Sequence, residues 1–562
     1  MDETATVRPD LSYAGWRETA ATHRTAPMSR RHLLAMIGTA AGSSAMYQAM
    51  STLGLAAGST YQGPIRLEGD PKGASVLILG AGVAGLVAAL ELHKIGYKVQ
   101  VLEYNDRAGG RCWSLRGGDR FTELGGFEQT CDFDKDLYFN PGPWRIPYHH
   151  CGILDYCKRL GVKLEPFIQV NYNAYLHARN AFGGMPQRLR HVLSDFHGSV
   201  AELLAKSVSH DKLDQPVAAE DKELLLAALR QWGALDANYA YKAGVLSSDR
   251  RGYQRDPGGG LRGEAVPSEP LPFAEILRSR VWYRLALGQI YDFQSTIFQP
   301  VGGMDMIARA FVREIGSLIH YNAKVMAIKQ DENHVTVTYV DARTEDAPMM
   351  ATADWCLCTI PLSVLDQIDI DVGKPMMDAI NAVPYGAAAK IGLQFKRRFW
   401  EEDEQIYGGI SDTDLPIWQL GYPNTSYGSS GKGVLLGAYV FDSPYAYEFT
   451  ALPPEDRVKK AVEYGAQIHP QYKTEYENGI AVGWHRVPWV LGCFGRWTEE
   501  MRKQHYENLC AIDGRIALAG EHVSHVPAWQ EGAVLSSLDA ISRLHRRVVA
   551  SRACHRNVRE SP

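Results

Sequence analysis

The stretch Val76–Gly85, with the sequence Val-Leu-Ile-Leu-Gly-Ala-Gly-Val-Ala-Gly, specifies the fold of this chain. Four apolar residues suited to a buried parallel strand lead into the pattern Gly-x-Gly-x-x-Gly, and the small and aliphatic residues 86–92 predict a helix. Gly80 permits the tight turn, Gly82 lets a pyrophosphate approach the backbone, and Gly85 lets helix and strand pack closely. Phosphates are favoured at such a helix N-terminus. The predicted loop residues are Gly80, Gly82, Ala84 and Gly85.

A second apolar strand, Val99–Leu102, supports the same prediction. It ends on Glu103, which lies 23 residues beyond Gly80, close to the usual offset of roughly 20 residues for an acid that binds a ribose. Glycine-rich turns also occur without a ligand, but here the strand, helix and carboxylate follow in the required order. The segment therefore predicts a dinucleotide-binding βαβ unit.

The residues after this strand indicate which dinucleotide is bound. Glu103–Arg111 has the form E-x-x-x-R-x-G-G-R, and Glu123–Gly126 has the sequence Glu-Leu-Gly-Gly. With these motifs the chain resembles the FAD-dependent amine oxidase superfamily, which includes monoamine oxidases, polyamine oxidases and L-amino acid oxidases. Arginines among glycines suit a diphosphate, because Arg offers rigid charge-assisted donors; a basic surface turn would explain Arg107 alone. The resemblance implies FAD contacts from Arg107, Gly109, Gly110, Arg111, Gly125 and Gly126.

The length and composition of the chain limit the possible architectures. The 562 residues suggest two or three domains, and the hydrophobic content of 45% and charged content of 22% are ordinary for a globular protein. The net charge of −5 gives no reason to expect nucleic acid as a partner. The nine cysteines include no C-x-x-C pair, so neither a disulfide framework nor a zinc site is indicated, and no metal is predicted.

The predicted fold class is α/β with α+β character: a Rossmann-like FAD-binding domain interleaved with a mixed-sheet substrate domain and a helical insertion. The expected segments are an N-terminal extension (1–70), a first FAD-binding segment (71–135), a substrate loop with a helical domain (136–298), a second FAD-binding segment (299–383), a substrate domain (384–507), a third FAD-binding segment (508–548) and a basic tail (549–562).

The N-terminal extension carries an export-like segment. Ser29–Leu34 contains Arg30-Arg31 and resembles a bacterial twin-arginine signal, and a weakly apolar stretch follows with Leu55–Ala57 as a cleavage site. This predicts a bacterial protein exported to the periplasm or beyond. The alternative is a disordered or helical extension on a cytoplasmic protein. No other segment is long and apolar enough to predict a membrane span.

Two segments near the C-terminus, Ala519–His522 and Ala528–Val534, closely resemble the superfamily's C-terminal flavin motif. The resemblance places a carboxylate near the ribityl chain and a helix N-terminus at the flavin edge, where negative charge is favoured. Glu531 is interpreted as favouring its own helix dipole. Trp529 matches the wall of the substrate cavity, with Ala528 beside it, although a tryptophan is otherwise usually core. The implied flavin contacts are Gly520, Glu521, Gly532, Ala533 and Val534.

The resemblance implies three more cofactor contacts: Val325 at the adenine, Thr359 in a T-x-P turn at the dinucleotide, and Trp484. Cys493 follows Trp484 at the spacing that monoamine oxidases show for a covalently attached cysteine, but its surroundings differ. L-Amino acid oxidases generally hold FAD without a covalent bond. We therefore interpret Cys493 as a small wall near the flavin, with covalent attachment as the alternative, and Phe494 as an aromatic wall opposite Trp529.

Lys390 begins an alternating strand-like run. A lysine at a strand start is ordinarily a solvated edge charge. Here it matches the family lysine that holds a water beside flavin N5, where a cation would assist the reaction with O2 by stabilising developing negative charge.

The element that separates amino-acid from amine oxidation is Asn140–Pro147. L-Amino acid oxidases carry a G-x-x-R-x-P element whose arginine binds the substrate carboxylate, and Arg145 matches it, because the guanidinium fork fits a carboxylate. Residues 127–139 intervene where the family pattern is shorter, so an arginine on a proline-stiffened loop is the alternative. Tyr422 matches the tyrosine that donates to the same carboxylate; an ordinary strand tyrosine is its alternative.

The resulting functional hypothesis is an FAD-dependent L-amino acid oxidase that binds an L-amino acid and O2, forms a homodimer and does not covalently attach its flavin. An amino-acid 2-monooxygenase would use the same residues, and an amine or polyamine oxidase follows if Arg145 points away from the flavin. A non-catalytic flavoprotein is the remaining alternative. The side-chain specificity is not readable from the sequence, although Trp232 is a candidate wall of the substrate pocket, with helix core as its alternative.

Overall fold

Two large sheets, one mainly parallel and one mixed, organise the protein. The computed structural model describes residues 59–210, 212–213 and 217–559, and all of them belong to one compact unit. The export-like segment Ser29–Leu34 and the cleavage site Leu55–Ala57 lie outside the described residues.

The described residues contain 24 strands. In chain order they are β1 (Ser75–Leu79), β2 (Lys98–Leu102), β3 (Leu115–Arg116), β4 (Arg120–Thr122), β5 (Glu128–Thr130), β6 (Tyr138–Phe139), β7 (Ile146–Pro147), β8 (Leu164–Phe167), β9 (Tyr175–His177), β10 (Gln187–Arg188), β11 (Ile297–Pro300), β12 (Ile319–His320), β13 (Ala323–Gln330), β14 (Val335–Asp341), β15 (Met349–Ala353), β16 (Trp355–Cys358), β17 (Asp369–Ile370), β18 (Ala388–Phe395), β19 (Ile410–Thr413), β20 (Gln419–Gly421), β21 (Gly433–Phe441), β22 (Tyr476–Gly483), β23 (Ile512–Asp513) and β24 (Ile516–Leu518).

The same residues contain 16 α-helices. They are α1 (Val83–Lys94), α2 (Cys151–Arg159), α3 (Leu189–Ser209), α4 (Ala219–Gly233), α5 (Val245–Arg251), α6 (Phe273–Ser279), α7 (Trp282–Ala286), α8 (Met306–Ile315), α9 (Leu362–Leu365), α10 (Lys374–Ala382), α11 (Phe399–Glu402), α12 (Pro444–Ala451), α13 (Pro454–Gly465), α14 (Tyr472–Glu475), α15 (Glu499–Cys510) and α16 (Gln530–Arg559).

The first sheet has six strands in the order β12-β2-β1-β16-β24-β23. All of its pairings are parallel except the one between β23 and β24 at the edge. Its strands come from three separate regions of the chain: β1 and β2 from the first, β12 and β16 from the second, and β23 and β24 from the third. This interrupted, Rossmann-like sheet confirms the predicted fold class.

The strand of the opening motif is buried on both faces, as parallel strands covered by helices are. Val76 and Ile78 pack into one hydrophobic cluster with residues of α1, α8 and α16. Leu77 and Leu79 pack into a second cluster with residues of α10 and α15. The alternation of a strand therefore explains why this stretch is continuously apolar.

The second sheet has seven strands in the order β10-β9-β19-β20-β21-β18-β22. Every residue of β18 is buried between β21 and β22. One face of the sheet packs Leu435 and Ala438 against the residues of α11, which form one cluster. The other face packs Leu436, Val482 and Trp484 into a different cluster. The two faces of this sheet therefore have different neighbours, so the face on which a side chain lies determines its surroundings.

A three-stranded sheet, β7-β11-β8, carries the segment that precedes α2. β11 pairs antiparallel with β7, with Ile297 opposite Pro147. The predicted helical insertion is present as α3 to α7, and α3 packs on α4 through Ala201, Ala205 and Leu229.

The eight cysteines in the described residues of the chain are free thiols. No helix within the described ranges combines the length and apolarity that crossing a membrane requires.

Candidate active site

The glycine loop is a tight turn that leaves room at its tip. Gly80 has φ +99°, a conformation that favours glycine, and a Cβ on Gly85 would lie 2.0 Å from the Gly80 carbonyl oxygen. In contrast, a Cβ on Gly82 would meet no atom within 4 Å. Gly82 is the N-cap of α1, and no side chain caps this helix. The loop thus presents open space and helix N–H groups on the same side.

Glu103 braces this loop from the end of β2. Its carboxylate accepts hydrogen bonds from the N–H of Ala81 at 2.6 Å and from the N–H of Asn105 at 2.9 Å. The buried carboxylate therefore fixes the turn that Gly80 begins, in addition to any contact with a ribose.

The second glycine pair packs directly on the first. The N–H of Gly109 donates to the Ala81 carbonyl at 2.8 Å, and a Cβ on Gly110 would lie 3.4 Å from the Cα of Gly82. Arg107 donates to the Gly110 carbonyl at 2.9 Å and stacks over Trp113 at 4.2 Å. Burial lowers the pKa of Arg107. The structure thus brings together two motifs that are separate in sequence.

Glu521 links the predicted flavin motif to this region. Arg111 donates to its Oε1 at 2.8 Å and to the Cys493 carbonyl at 2.5 Å. The N–H of Gly495 donates to Oε1 at 3.2 Å, and that of Ala528 to Oε2 at 3.1 Å. One carboxylate therefore ties four separate segments together. Its interaction with Arg111 outweighs burial and raises the pKa of the guanidinium.

The start of α16 carries the predicted residues Gly532, Ala533 and Val534. A Cβ on Gly532 would lie 2.1 Å from the Val526 carbonyl oxygen, so only glycine fits this approach. Glu531 does not simply complement its own helix: it is buried and accepts the N–H groups of Gly152 at 2.9 Å and Ile153 at 2.8 Å. It is the acidic residue in the first turn of α16, as interpreted from the sequence, and in addition it caps the N-terminus of α2.

The remaining predicted cofactor residues lie in other segments of the fold. Thr359 donates to the Leu79 carbonyl at 2.8 Å beside Gly80, and Trp484 donates to the Pro141 carbonyl at 2.8 Å. Val325 is buried at a bulge of β13. Gly125 and Gly126 follow Glu123, a buried carboxylate, and Gly520 adopts φ +147° immediately before Glu521.

Arg145 lies among aromatic rings and forms no ion pair within the described residues, although Asp292 and Asp412 act on its charge at longer range. Its guanidinium carbon is 4.5 Å from the ring centre of Phe293, 5.4 Å from that of Trp144 and 5.9 Å from that of Phe167. Its Nε and one Nη are buried and have no hydrogen-bond partner among the described residues. Burial lowers its pKa to about 10, with Tyr439 as the leading opposing influence. A buried cation without a partner is costly, so this guanidinium is set up to receive an anion.

Lys390 lies on the same side of the seven-stranded sheet as Arg145. It is 2% exposed, and its Nζ donates to the Gly142 carbonyl at 2.6 Å. Nζ is 4.4 Å from the ring centre of Tyr439 and 5.3 Å from that of Trp144. Burial, reinforced by Arg145, lowers its pKa to about 7. The structure thus excludes the alternative that Lys390 is a solvated charge at the edge of a sheet.

The tyrosine on this face is Tyr439, not the predicted Tyr422. A Cβ on Gly421 would lie 2.3 Å from the ring of Trp144, so Gly421 faces the lysine side and the next residue points to the opposite face. There the Tyr422 hydroxyl is bonded to Ser411 at 2.7 Å and His469 at 2.6 Å. Successive strand residues alternate, which is why the sequence position alone misled the assignment.

Trp529 lies close to the aromatic residues that surround Arg145. Its ring is 4.9 Å from His150 and 6.4 Å from Phe293, which also contacts Arg145. Its buried Nε1 has no hydrogen-bond partner among the described residues. Ala528 adopts φ +66° just before it. The structure therefore brings Trp529 and Arg145 together through Phe293.

Trp232 lies elsewhere than predicted, whereas the role of Phe494 as a wall opposite Trp529 stays a prediction. Phe494 packs on the backbone of Gly386, where an added Cβ would lie 3.1 Å from its ring; among the described residues its ring does not contact Trp529. Trp232 is 45% exposed at the end of α4 and contacts His197 at 4.8 Å. An exposed indole on the helical insertion is not a wall of a buried site, so that prediction is corrected.

Sequence reasoning missed several residues that the structure places here. Tyr439 becomes visible only through its register opposite Lys390. Phe293 and Asp292 precede β11 without any motif. His149 and His150 directly follow the Arg145 element, and this adjacency is a signal that the sequence does contain. Burial lowers the pKa of His150 to about 3 and raises the pKa of Asp292.

A glycine-rich turn on a parallel sheet, joined to a buried aromatic and cationic region, is the arrangement of a flavin-dependent oxidoreductase. The family model described as flavin containing amine oxidoreductase matches residues 83–544, and the chain belongs to this family.

Curated relatives are L-amino-acid oxidases at modest identity. A Bacillus subtilis (strain 168) protein that is provisionally named an L-amino-acid oxidase is 29% identical over 486 residues, which cover 84% of this chain and 94% of the relative. The L-amino-acid oxidase of Siganus canaliculatus is 27% identical over 492 residues, covering 84% and 86%.

Solved structures share the fold. A putrescine oxidase with bound putrescine has a TM-score of 0.54 at 16% identity, covering 85% of this chain and 99% of its own. Cyclohexylamine oxidase from Brevibacterium oxydans IH-35A has a TM-score of 0.55 at 15% identity, covering 84% and 99%. At such identities the likeness concerns the fold alone.

Proposed function

We propose that the protein is an FAD-dependent L-amino acid oxidase. It converts an L-amino acid, O2 and water into a 2-oxo acid, ammonia and hydrogen peroxide. Two electrons and two protons leave the Cα–H and N–H bonds of the substrate, and O2 accepts them as hydrogen peroxide; water then hydrolyses the resulting imine to the 2-oxo acid and ammonia. FAD, when bound, supplies the two-electron acceptor between these two half-reactions.

The observation that carries the proposal is the state of Arg145. A buried guanidinium with two unpartnered donor nitrogens, walled by Phe293 and Trp144, is matched by a ligand that brings its own anion. The α-carboxylate of an amino acid has the planar geometry that a guanidinium fork binds with two hydrogen bonds. A simple amine has no such group and would leave the cation unpaired.

The neighbouring residues supply the remaining functions. Burial raises the pKa of Tyr439, so its hydroxyl stays protonated and can donate to the same carboxylate. Trp529 orients the substrate through its ring and offers an unpartnered Nε1–H. Lys390 holds a proton at Nζ that titrates near neutral pH, because its pKa is lowered to about 7. Positioning by these groups is a large share of what such a site contributes to the rate.

The residues around the glycine loop fit a dinucleotide. The space in front of Gly82, the uncapped N-terminus of α1 and the half-buried Arg107 are suited to a diphosphate. We assign Glu103 and Val325 to the adenosine end and Glu521 with the start of α16 to the flavin end. Burial raises the pKa of the Cys493 thiol to about 11, so the thiolate needed for covalent attachment is disfavoured, which supports non-covalent FAD.

The deciding experiment compares an L-amino acid with the amine that lacks its carboxylate. Truncating one partner of a buried charge pair costs on the order of 2–5 kcal/mol. Arg145→Ala is therefore expected to lower kcat/KM for the amino acid roughly thirtyfold to several thousandfold, with FAD still bound. The decarboxylated amine, a poor substrate for the parent, should lose far less. Arg145→Lys keeps the charge but not the fork, and Arg343→Ala on an exposed turn is the matched control.

Equal losses for acid and amine would remove Arg145 from the substrate site and favour an amine oxidase. Product analysis separates the other alternative: an amino-acid 2-monooxygenase would release an amide and CO2 instead of a 2-oxo acid and ammonia.

A further inference from the structure

Three buried side chains form a cluster beside Trp529 that the proposed oxidase reaction does not use. His149, His150 and Asp292 are 7%, 1% and 1% exposed. One ligand atom from each lies within 4.8 Å of the others. The His149 Nε2–Asp292 Oδ1 distance is 3.2 Å, and the His150 Nε2–Asp292 Oδ1 distance is 3.9 Å.

The fold brings these residues together from two distant regions of the chain. The histidines follow β7 and Asp292 precedes β11, and these strands pair antiparallel with Pro147 opposite Ile297. The end of one strand therefore meets the beginning of the other. The His149 ring also stacks on Tyr291 at 4.0 Å, and the His149 and His150 rings are 4.8 Å apart, so the packing holds the imidazoles in place.

Apart from the approach of the two imidazoles to Asp292 Oδ1, the polar atoms of this cluster have no hydrogen-bond partner among the described residues. Both nitrogens of His149, Nε2 of His150 and both carboxylate oxygens of Asp292 are buried and make no hydrogen bond among the described residues. Buried polar atoms in native proteins are nearly always satisfied, and an exception points to an ion or water at that place. A buried carboxylate is costly unless its charge is fully balanced, and Asp292 has only His149 at 3.2 Å and the longer-range influence of Arg145.

We propose that His149, His150 and Asp292 bind one divalent transition-metal ion of the Zn²⁺ class. Two imidazole nitrogens and one carboxylate oxygen are a ligand set that zinc uses in proteins, with water in the fourth position. The cation would bind one unpartnered atom from each of the three residues. It also joins the segment before α2 to the segment before β11, and both of these segments contact Trp529.

The spacing of two of the three ligand-atom pairs is nearer to that expected around a metal ion than to that around an ammonium group. Ligands at about 2.0–2.1 Å from a tetrahedral zinc ion are separated by about 3.3–3.4 Å. Acceptors bonded to one ammonium at about 2.8–2.9 Å would be separated by roughly 4.6 Å. The observed 3.2 and 3.9 Å lie nearer to the metal geometry.

The test uses the full-length holoprotein without a polyhistidine tag. After chelator treatment and dialysis, Zn²⁺ is added and bound zinc is measured by mass spectrometry of the metal, with affinity from calorimetry. We expect one zinc ion per chain and a higher midpoint of thermal unfolding. His150→Gln and Asp292→Asn should each weaken binding by at least about a hundredfold, because a direct ligand is lost. His334→Gln, an exposed histidine, is the matched control and should bind zinc as the parent does.

Zinc binding is measured without turnover, so its outcome is independent of the proposed oxidase function. The proposal is overturned if the parent retains no zinc at micromolar concentrations, or if His150→Gln and Asp292→Asn bind it unchanged. If either variant is poorly folded, the parent's stoichiometry and thermal shift decide. Binding of L-lysine that requires Asp292, without zinc binding, would overturn the metal in favour of a cationic substrate side chain.

Discussion

Lys390 and Tyr439 lie directly opposite each other on two antiparallel strands, with the Lys390 Nζ 4.4 Å from the centre of the tyrosine ring. The lysine is buried and has no carboxylate as a hydrogen-bond partner among the described residues; its Nζ donates to the Gly142 carbonyl instead. An ammonium on an aromatic face retains some stabilisation from the ring quadrupole, worth about 2 kcal/mol when desolvated. This pairing keeps a titratable cation beside Arg145.

The first prediction concerns the pH dependence of the reaction with O2. Arg145, Cys493 and Tyr439 surround Lys390, and burial with Arg145 lowers its pKa to about 7. The cationic form is fully populated well below this pKa and is lost as pH rises through it. The rate of reoxidation of the reduced enzyme, measured by stopped-flow absorbance, should therefore fall as pH rises through the Lys390 pKa of about 7. Lys390→Met should be slow at every pH and lack this step.

Lys396→Met is the matched control, because Lys396 bonds the Thr474 carbonyl at the exposed surface. It should retain the parent's profile. An unchanged profile in Lys390→Met would remove Lys390 from the oxidative half-reaction.

The second prediction separates the two tyrosines. Tyr439→Phe removes a hydroxyl that has no hydrogen-bond partner among the described residues and should raise KM for an L-amino acid with little change in stability. Tyr422→Phe removes a hydroxyl bonded to Ser411 and His469. It should leave KM near the parent value and lower the free energy of unfolding by about 1–3 kcal/mol. Steady-state kinetics and urea unfolding measure both, and the reverse pattern would restore Tyr422 to the site.

The third prediction uses two glycines of one loop. A side chain at Gly82 would meet no protein atom within 4 Å. Gly82→Val should therefore fold and yet lose bound FAD, because we propose that the FAD diphosphate occupies that space. A Cβ at Gly85 would lie 2.0 Å from the Gly80 carbonyl, so Gly85→Ala should destabilise the fold itself. The flavin absorbance of the purified protein and its unfolding midpoint distinguish the two. A Gly82→Val protein with full flavin content would contradict the assignment.

The fourth prediction concerns a buried ion pair that anchors the Glu-Leu-Gly-Gly segment. Arg457 donates to the two oxygens of Glu123 at 2.7 and 2.8 Å, and the side chains are 1% and 0% exposed. Arg457→Met leaves this carboxylate buried with Arg486 at 3.3 Å as its cationic partner and Gln129 at 3.4 Å as a neutral donor. The free energy of unfolding should fall by about 3–5 kcal/mol. It is measured by urea unfolding.

The surface pair of Lys460 and Glu463 provides the control for this change. Lys460→Met should alter stability little, because exposed pairs contribute little. Comparable effects of the two variants would show that Glu123 finds another partner when Arg457 is removed.

The nucleotide-binding half of the molecule could be predicted from local sequence. The strand, glycine turn and helix around Gly80 are contiguous, so their order and spacing contain the information that defines the turn. The same holds for the start of α16, where Gly532 must approach the Val526 carbonyl. Arg145 and Lys390 were found because each lies within a short motif, and the structure then places both on one side of the second sheet.

Other features of the site depend on how distant segments pack. A tyrosine belongs to the site only if its side chain lies on the sheet face that carries Lys390. Neighbouring strand positions lie on opposite faces, so a shift of one residue reverses the face. Tyr439 lies on the Lys390 face and Tyr422 lies on the other. The cluster of His149, His150 and Asp292 depends on the pairing of β7 with β11, two strands that are far apart in the chain. Local motifs were therefore enough to identify the segments that form the glycine turn and its helix, because those contacts are between near neighbours in the chain. Strand register and burial alone settled which distant side chains meet at Arg145.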